Sequence, residues 1–190
     1  MNIILLNGPP SSGKDFAGFE IWNRVGTGVL MKFAEEVKVR THAALYLCDE
    51  AGHPFRADHY EDRKDQVLEE FGGITPRAAY IQFSEGFAKP LFGERIFGTW
   101  LADKIEAMDG PDTVIITDSG FMPEAEVLVE RFGAENCLLA RIHRVGYTFA
   151  GDSRSYIDLA PLQVQCQDIN NDGADGFRTL LGTLFPASRA

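Results

Sequence analysis

The sequence predicts an α/β fold in three layers, with a mostly parallel five-stranded sheet between two layers of helices. Three observations lead there. The run Ile3–Leu6 is apolar without alternation, as a strand buried on both faces is, and Thr113–Thr117 and Cys137–Ile142 read as further β-branched and apolar strands. Segments with helical spacing separate them, the pattern of βαβ units. The first run ends in a glycine-rich turn that opens a helix.

In chain order, Ile3–Leu6 is the first strand and Lys14–Arg24 the first helix, stopped near Gly26. Val29 and Leu30 form a short strand. Phe33, Val37, Ala44, Leu45 and Cys48 recur at helical spacing. Asp49–Asp65 is polar and rich in acids and histidine, which predicts an exposed loop or a lid-like insertion. Thr75-Pro76-Arg77 starts a helix, with Thr75 as N-cap and proline in the first turn. Helical pattern continues to Phe87 and again from about Glu94 to Met108, until Gly110-Pro111 breaks it. Thr113–Thr117 is a β-branched strand, Pro123–Phe132 a helix closed by Gly133, and Cys137–Ile142 a strand. Val145–Tyr156 reads as a loop, Val164–Ile169 as the last strand and Ala174–Leu184 as the last helix. Phe83, Phe87, Phe92, Phe97 and Trp100 are assigned to the core, with stacking of one of them on a base as the alternative.

Composition narrows the class. The 190 residues suit one domain that needs no staple, and 45% hydrophobic with 24% charged residues is ordinary for a globular chain. The net charge of −10 disfavours stable binding to nucleic acid or an anionic membrane. Three scattered cysteines (Cys48, Cys137, Cys166) fit neither a disulfide framework nor a zinc site. No apolar stretch approaches the roughly 20 residues of a membrane span, and the first residues lack a basic signal segment. The expectation is a cytoplasmic protein, with a homodimer compatible with it. His53 and His59, near Asp58, Glu61 and Asp62, match no zinc spacing and read as a solvated loop. His42 and His143 read as packed or surface residues.

Gly8-Pro9-Pro10-Ser11-Ser12-Gly13-Lys14 fits GxxxxGK between a strand and a helix, the context of a P-loop. The fold class is therefore a P-loop NTPase of three-layer α/β/α form. Backbone N–H groups there form an anion nest at a helix N-terminus. Pro9 and Pro10 lack N–H groups, so the cradle rests on Ser12, Gly13, Lys14 and the residues after them. Lys14 would contact the β- and γ-phosphates of ATP.

Asp15 stands where a hydroxyl usually binds Mg²⁺. A carboxylate about 5 Å from a phosphate charge is repelled by roughly 3 kcal/mol at an effective dielectric near 20. Asp15 is therefore expected to work through Mg²⁺ or its waters. Asp118, at the carboxyl end of the Thr113–Thr117 strand, faces the same crevice and is the second metal candidate. The guanine-specificity string Asn-Lys-x-Asp is missing, and extra helices lie between the early and middle strands. That suits a kinase of small metabolites, which needs arginines to offset anion repulsion. Arg40, Arg77, Arg141, Arg144 and Arg154 are candidates. Arg77 follows the Thr75-Pro76 start, and Arg144 and Arg154 flank a lid-like loop.

Ser12-Gly13-Lys14-Asp15, Phe33-Ala34 with Lys38, Thr75-Pro76-Arg77, Gln82 with Ser84-Glu85, and Asn170-Asn171-Asp172-Gly173 follow one another over nearly the whole chain. In these pieces the sequence resembles the bacteriophage deoxynucleoside monophosphate kinase family. The resemblance implies ATP phosphates held by Gly8, Ser11, Ser12, Gly13, Lys14, Asp15 and Phe16, with Asn171 and Asp172 near the adenine. It implies an acceptor monophosphate on Arg77, its base or sugar near Gln82 and Glu85, and Phe33 and Lys38 in the same pocket. Catalytic roles fall to Lys14, Arg77, Asp118, Arg144 and Arg154. That family places the glutamine closer to the arginine and follows it with Gly-Thr-Glu, whereas here the stretch is Arg77-Ala78-Ala79-Tyr80-Ile81-Gln82-Phe83-Ser84-Glu85.

The expected organisation is one kinase domain over 1–190, with a helical acceptor-binding insertion at about 33–108 and a lid at about 143–156. The expected activity is ATP- and Mg²⁺-dependent phosphorylation of a deoxynucleoside monophosphate, with small-molecule nucleotides as partners. Two alternatives stay open: a phage P-loop kinase acting on a hydroxymethylated base in DNA, and a non-catalytic nucleotide-binding module.

Overall fold

Five strands form one sheet in the computed structural model, which describes residues 1–172 and Gly182. β1 (Asn2–Asn7), β2 (Gly28–Met31), β3 (Thr113–Ser119), β4 (Cys137–His143) and β5 (Gln165–Asn170) lie in the order β2-β3-β1-β4-β5. Every pairing is parallel. β1 is central, with Ile3 opposite Val114 on one side and Cys137 on the other.

Period-two alternation on buried strands feeds two separate cores. Ile3, Leu5, Val114, Ile116 and Leu139 pack on α2 (Phe33–Ala44), α5 (Ile96–Glu106) and α6 (Met122–Phe132) through Phe33, Leu101, Ile105, Ala125 and Leu128. Ile4, Leu6, Ile115, Ala140 and Ile142 pack on α1 (Lys14–Val25) through Ala17 and Ile21. Both faces of the sheet are thus covered, as a parallel sheet requires. Because α5 and α6 cross closely at Gly98, a Cβ there would lie 2.5 Å from the Glu124 carbonyl.

Two expectations need correction. Residues 49–65 are not simply an exposed loop. Tyr60 is buried there and joins Leu47, Phe71 and Ala79 in a third, small core closed by α3 (Pro76–Phe83). His42 of α2 is fully buried beside it. Its Nδ1 lies 2.8 Å from the Phe55 carbonyl and its Nε2 2.9 Å from the Tyr80 hydroxyl. A carbonyl only accepts, so Nδ1 carries the proton and Nε2 accepts from Tyr80.

The aromatic run is the second correction. Phe97 is core, but Phe87 and Phe92 are 50% and 57% exposed. The helix does not keep one period through this stretch. A π-helical turn (Ser84–Ala88) separates α3 from α4 (Lys89–Phe92), and Gly93 at φ 88° stops α4. The wider turn rotates later side chains away from the face that a 3.6-residue period assigns them. The helix expected at Ala174–Leu184 lies outside the described residues. No helix among the described residues is long and apolar enough to cross a membrane.

Candidate nucleotide and acceptor site

The loop between β1 and α1 is held open by backbone geometry. Ser11 (φ 60°) and Gly13 (φ 96°) adopt left-handed conformations, and the Ser12 N–H donates to the Pro9 carbonyl at 3.2 Å. A Cβ on Gly8 would lie 2.7 Å from Ser12 Oγ and 2.8 Å from the Ile142 carbonyl, so only glycine fits. Lys14 is 6% exposed, and its Nζ donates to the Pro9 carbonyl at 3.0 Å. Burial, with Arg154 adding to it, depresses its pKa against the pull of Asp15, Asp118 and Asp152. Among the described residues, the buried Ser12 hydroxyl has no partner. A buried polar atom without a partner beside an anion nest fits a phosphate oxygen. Phe16, on the first turn of α1, is exposed.

Two segments clasp this loop from the β4–β5 side. Arg144 donates to the Ser11 carbonyl at 2.9 Å and sits 4.6 Å over the Tyr147 ring. Asn171 Nδ2 donates to the Ser12 carbonyl at 2.7 Å and touches the position a Cβ on Gly13 would fill. Asp172 accepts from the Val145 N–H at 2.7 Å. A groove of about 700 Å³ opens beside them, lined by Arg144, Tyr147, Phe149, Tyr156, Asp168 and Asp172. Arg154 is locked by Asp152 through bonds of 2.9 and 2.6 Å, and lies against Gly120. That ion pair holds the Asp152 carboxyl below its usual range. Lys14, Arg144, Arg154, Asn171 and Asp172 thus lie around one crevice.

The two metal candidates face the same crevice with occupied oxygens. Asp15 accepts from Thr117 Oγ1 at 3.0 Å and pairs with Lys32 at 2.6 Å. Burial raises its pKa, but Lys32, Thr117 and Lys14 outweigh that and leave the carboxyl ionised below its ordinary value. Asp118 accepts from the N–H groups of Phe33 and Ala34, both at 2.9 Å, and so caps α2. Burial raises its pKa, with those donors, Lys32 and Arg154 pulling it back. Each carboxylate keeps a lone pair, and Mg²⁺ characteristically uses one or two carboxylates with waters and phosphates. The donor set fits that ion.

The acceptor candidates divide into two places. Lys38 pairs with Glu61 at 2.6 Å, Lys64 pairs with the same carboxylate, and Arg77 grips Asp65 at 2.6 and 3.2 Å. Burial pushes Glu61 upward, but the two lysines draw it down to about 2. Arg77 therefore points at Asp65 rather than at the loop. Glu85 instead pairs with Lys89 at 2.7 Å in the π-helical turn, and Gln82 is exposed. Phe33 is buried at the start of α2.

Several residues escaped the sequence. Asn7 is fully buried at the end of β1, where it donates to the Ser119 and Ser155 carbonyls at 2.7 and 2.9 Å and accepts from Ile157 at 3.1 Å. Its signal was a polar residue closing an apolar strand. Lys32 and Glu124 gave no signal because they face Asp15 and Lys89, which lie far away in sequence, while Lys64 and Lys89 read as ordinary near-neighbour pairs with Glu61 and Glu85.

No protein-family model matches the chain, and no curated protein matches it in sequence. Among solved structures, it is similar to an unliganded sugar kinase from Janibacter sp. HTCC2649, with a TM-score of 0.47, 14% identity, and 97% of this chain and 94% of that chain covered. It is similar also to a gluconokinase from Sinorhizobium meliloti 1021, with a TM-score of 0.44, 11% identity, and 99% and 98% covered. The P-loop α/β architecture stands on the parallel sheet and the loop geometry above.

Proposed function

We propose that the chain is an ATP-dependent phosphotransferase that moves the γ-phosphoryl group to a deoxynucleoside monophosphate, giving the diphosphate and ADP. The observation that carries this reading is the buried Lys14 inside an anion nest with an unpaired Ser12 hydroxyl, framed by Arg144 and Arg154. The nest and Lys14 hold the donor phosphates, and the groove beside Arg144 and Asp172 takes the adenine. Asp15 and Asp118 would hold Mg²⁺, which supplies charge neutralisation of the β- and γ-phosphates.

An acceptor phosphate oxygen is already anionic near neutral pH, so it attacks γ-phosphorus without a strong base. The new P–O bond forms as the bond to the bridging β–γ oxygen breaks, and the electron pair leaves with ADP. Alignment and cations do the rest. Residues 33–108 serve as the acceptor-binding insertion, with Lys38 and Arg77 as its cations, and 143–156 as the lid. Measuring ADP release with each of the four deoxynucleoside monophosphates tests this, beside calorimetry of ATP binding. Bound ATP with no turnover on any of them rejects the acceptor class.

One observation favours a second reading, in which the acceptor is a hydroxyl. Asp118, Glu85, Glu94 and Glu124 all face Lys89 or one another, an acid-rich surrounding that repels a phosphate. A hydroxymethylated base in an oligonucleotide is the acceptor to compare.

A further inference from the structure

Glu124 begins α6 beside the loop that follows Asp118, and it is 3% exposed. No described residue donates a hydrogen bond to its carboxyl. The charged groups facing it are Asp118 on β3, Lys89 on α4, Glu85 on the π-helical turn, and Glu94 just after α4. Lys89 has a side chain only 8% exposed, with Nζ 2.7 Å from Glu85, 3.5 Å from Glu94 and 4.8 Å over the Phe121 ring. One ammonium among four carboxyls leaves the place net negative. π-helical turns recur at functional sites, and this one presents Glu85 and leads directly into Lys89.

A largely buried carboxyl with no protein donor costs the fold stability unless water or another group bonds to it. An anion is repelled there, and Lys89 already occupies the place a cation would take, 2.7 Å from Glu85 and 3.5 Å from Glu94. What remains is an uncharged group that gives and takes hydrogen bonds. We propose that Glu124 and Lys89 form a subsite that reads an uncharged hydroxyl or amide edge of the phosphoryl acceptor, away from its phosphate. This rests on the phosphotransferase reading above. Burial, with Asp118 adding to it, pushes the Glu124 carboxyl up to about 8. Near neutral pH it is then a neutral acid, which both donates and accepts.

The test compares wild type, Glu124→Leu, Glu124→Gln and Lys89→Met, with the four deoxynucleoside monophosphates as probes. Leucine removes an unpaired buried carboxyl and keeps the volume, so that variant folds. The subsite predicts that Glu124→Leu raises acceptor KM at least ~10-fold and reorders the preference among bases, with KM for ATP unchanged. Glu124→Gln keeps the uncharged donor and acceptor, so it retains acceptor KM at pH 7 and loses the alkaline limb of kcat/KM near pH 8 that wild type shows. Lys89→Met follows Glu124→Leu. A folded Glu124→Leu with unchanged acceptor KM and base preference overturns the subsite while the kinase reading stands. Wild type that binds ATP and transfers to no acceptor overturns both.

Discussion

Lys14 is bonded to its own loop in the free protein, through the Pro9 carbonyl. On the phosphotransferase reading, a phosphate oxygen replaces a neutral acceptor with a charged one, which roughly doubles the strength of the bond. Lys14→Met should cut phosphoryl transfer at least ~100-fold, in line with removing one donor to developing charge, with circular dichroism unchanged. Glu124 carries a prediction about stability. Its pKa rises from 4.5 unfolded to about 8 folded, so the unfolded chain releases the proton first as pH rises. Its contribution is full below about pH 4.5 and is lost on the way to pH 8, by ~3 kcal/mol at pH 7. Glu124→Gln, which cannot ionise, should melt at the wild-type temperature near pH 4 and progressively higher from pH 5 to 8. A constant difference at every pH would show that the carboxyl is not held neutral.

Among elements, α3 owes its start to a side chain. Thr75 Oγ1 accepts from the Ala78 N–H at 3.1 Å, and Pro76 sits in the first turn. Thr75→Ala should cost ~1 kcal/mol of unfolding free energy, read by urea denaturation. The small core beneath α3 is sensitive to pH through His42, whose pKa burial depresses. The unfolded chain takes up a proton first, so the stability that neutral His42 contributes is present above about pH 6.5 and lost as pH falls toward the folded value. Protection of the amides in α2 and α3, corrected for the slower intrinsic exchange in acid, should fall between pH 7 and 5. The central strand was legible because a parallel strand buried on both faces reads as an unbroken apolar run, and Thr75-Pro76 is local chemistry. The π-helical turn was not legible, since one wide turn leaves no period of its own, and phenylalanines at near-helical spacing hid it. Lys38 and Arg77 were found as cations, but their engagement by Glu61 and Asp65 depends on a fold-back that no short-range pattern encodes. Glu124 reads in sequence as an ordinary acid in the first turn of a helix; only the approach of α4 and α5 buries it.

For the whole molecule, Asn7 joins three segments at the mouth of the crevice: the ends of β1 and β3 and the strap at Ser155–Ile157. Asn7→Ala leaves two carbonyls and one N–H there without their partner, so a loss of ~2–4 kcal/mol is expected by chemical denaturation. ATP with Mg²⁺ at 100 times its dissociation constant should restore ~2.7 kcal/mol of stability to any variant whose cradle is intact. With all five strands pointing the same way, everything chemical gathers at one rim, where Lys14, Asp118 and Arg144 lie. Among the described residues, the other rim holds the bends that enter the strands. Gly26 and Gly110 are exposed there, with open space around them. A fluorophore, affinity tag or fused domain grafted at Gly110 would hang from the back of the protein and leave substrate traffic at the front unhindered.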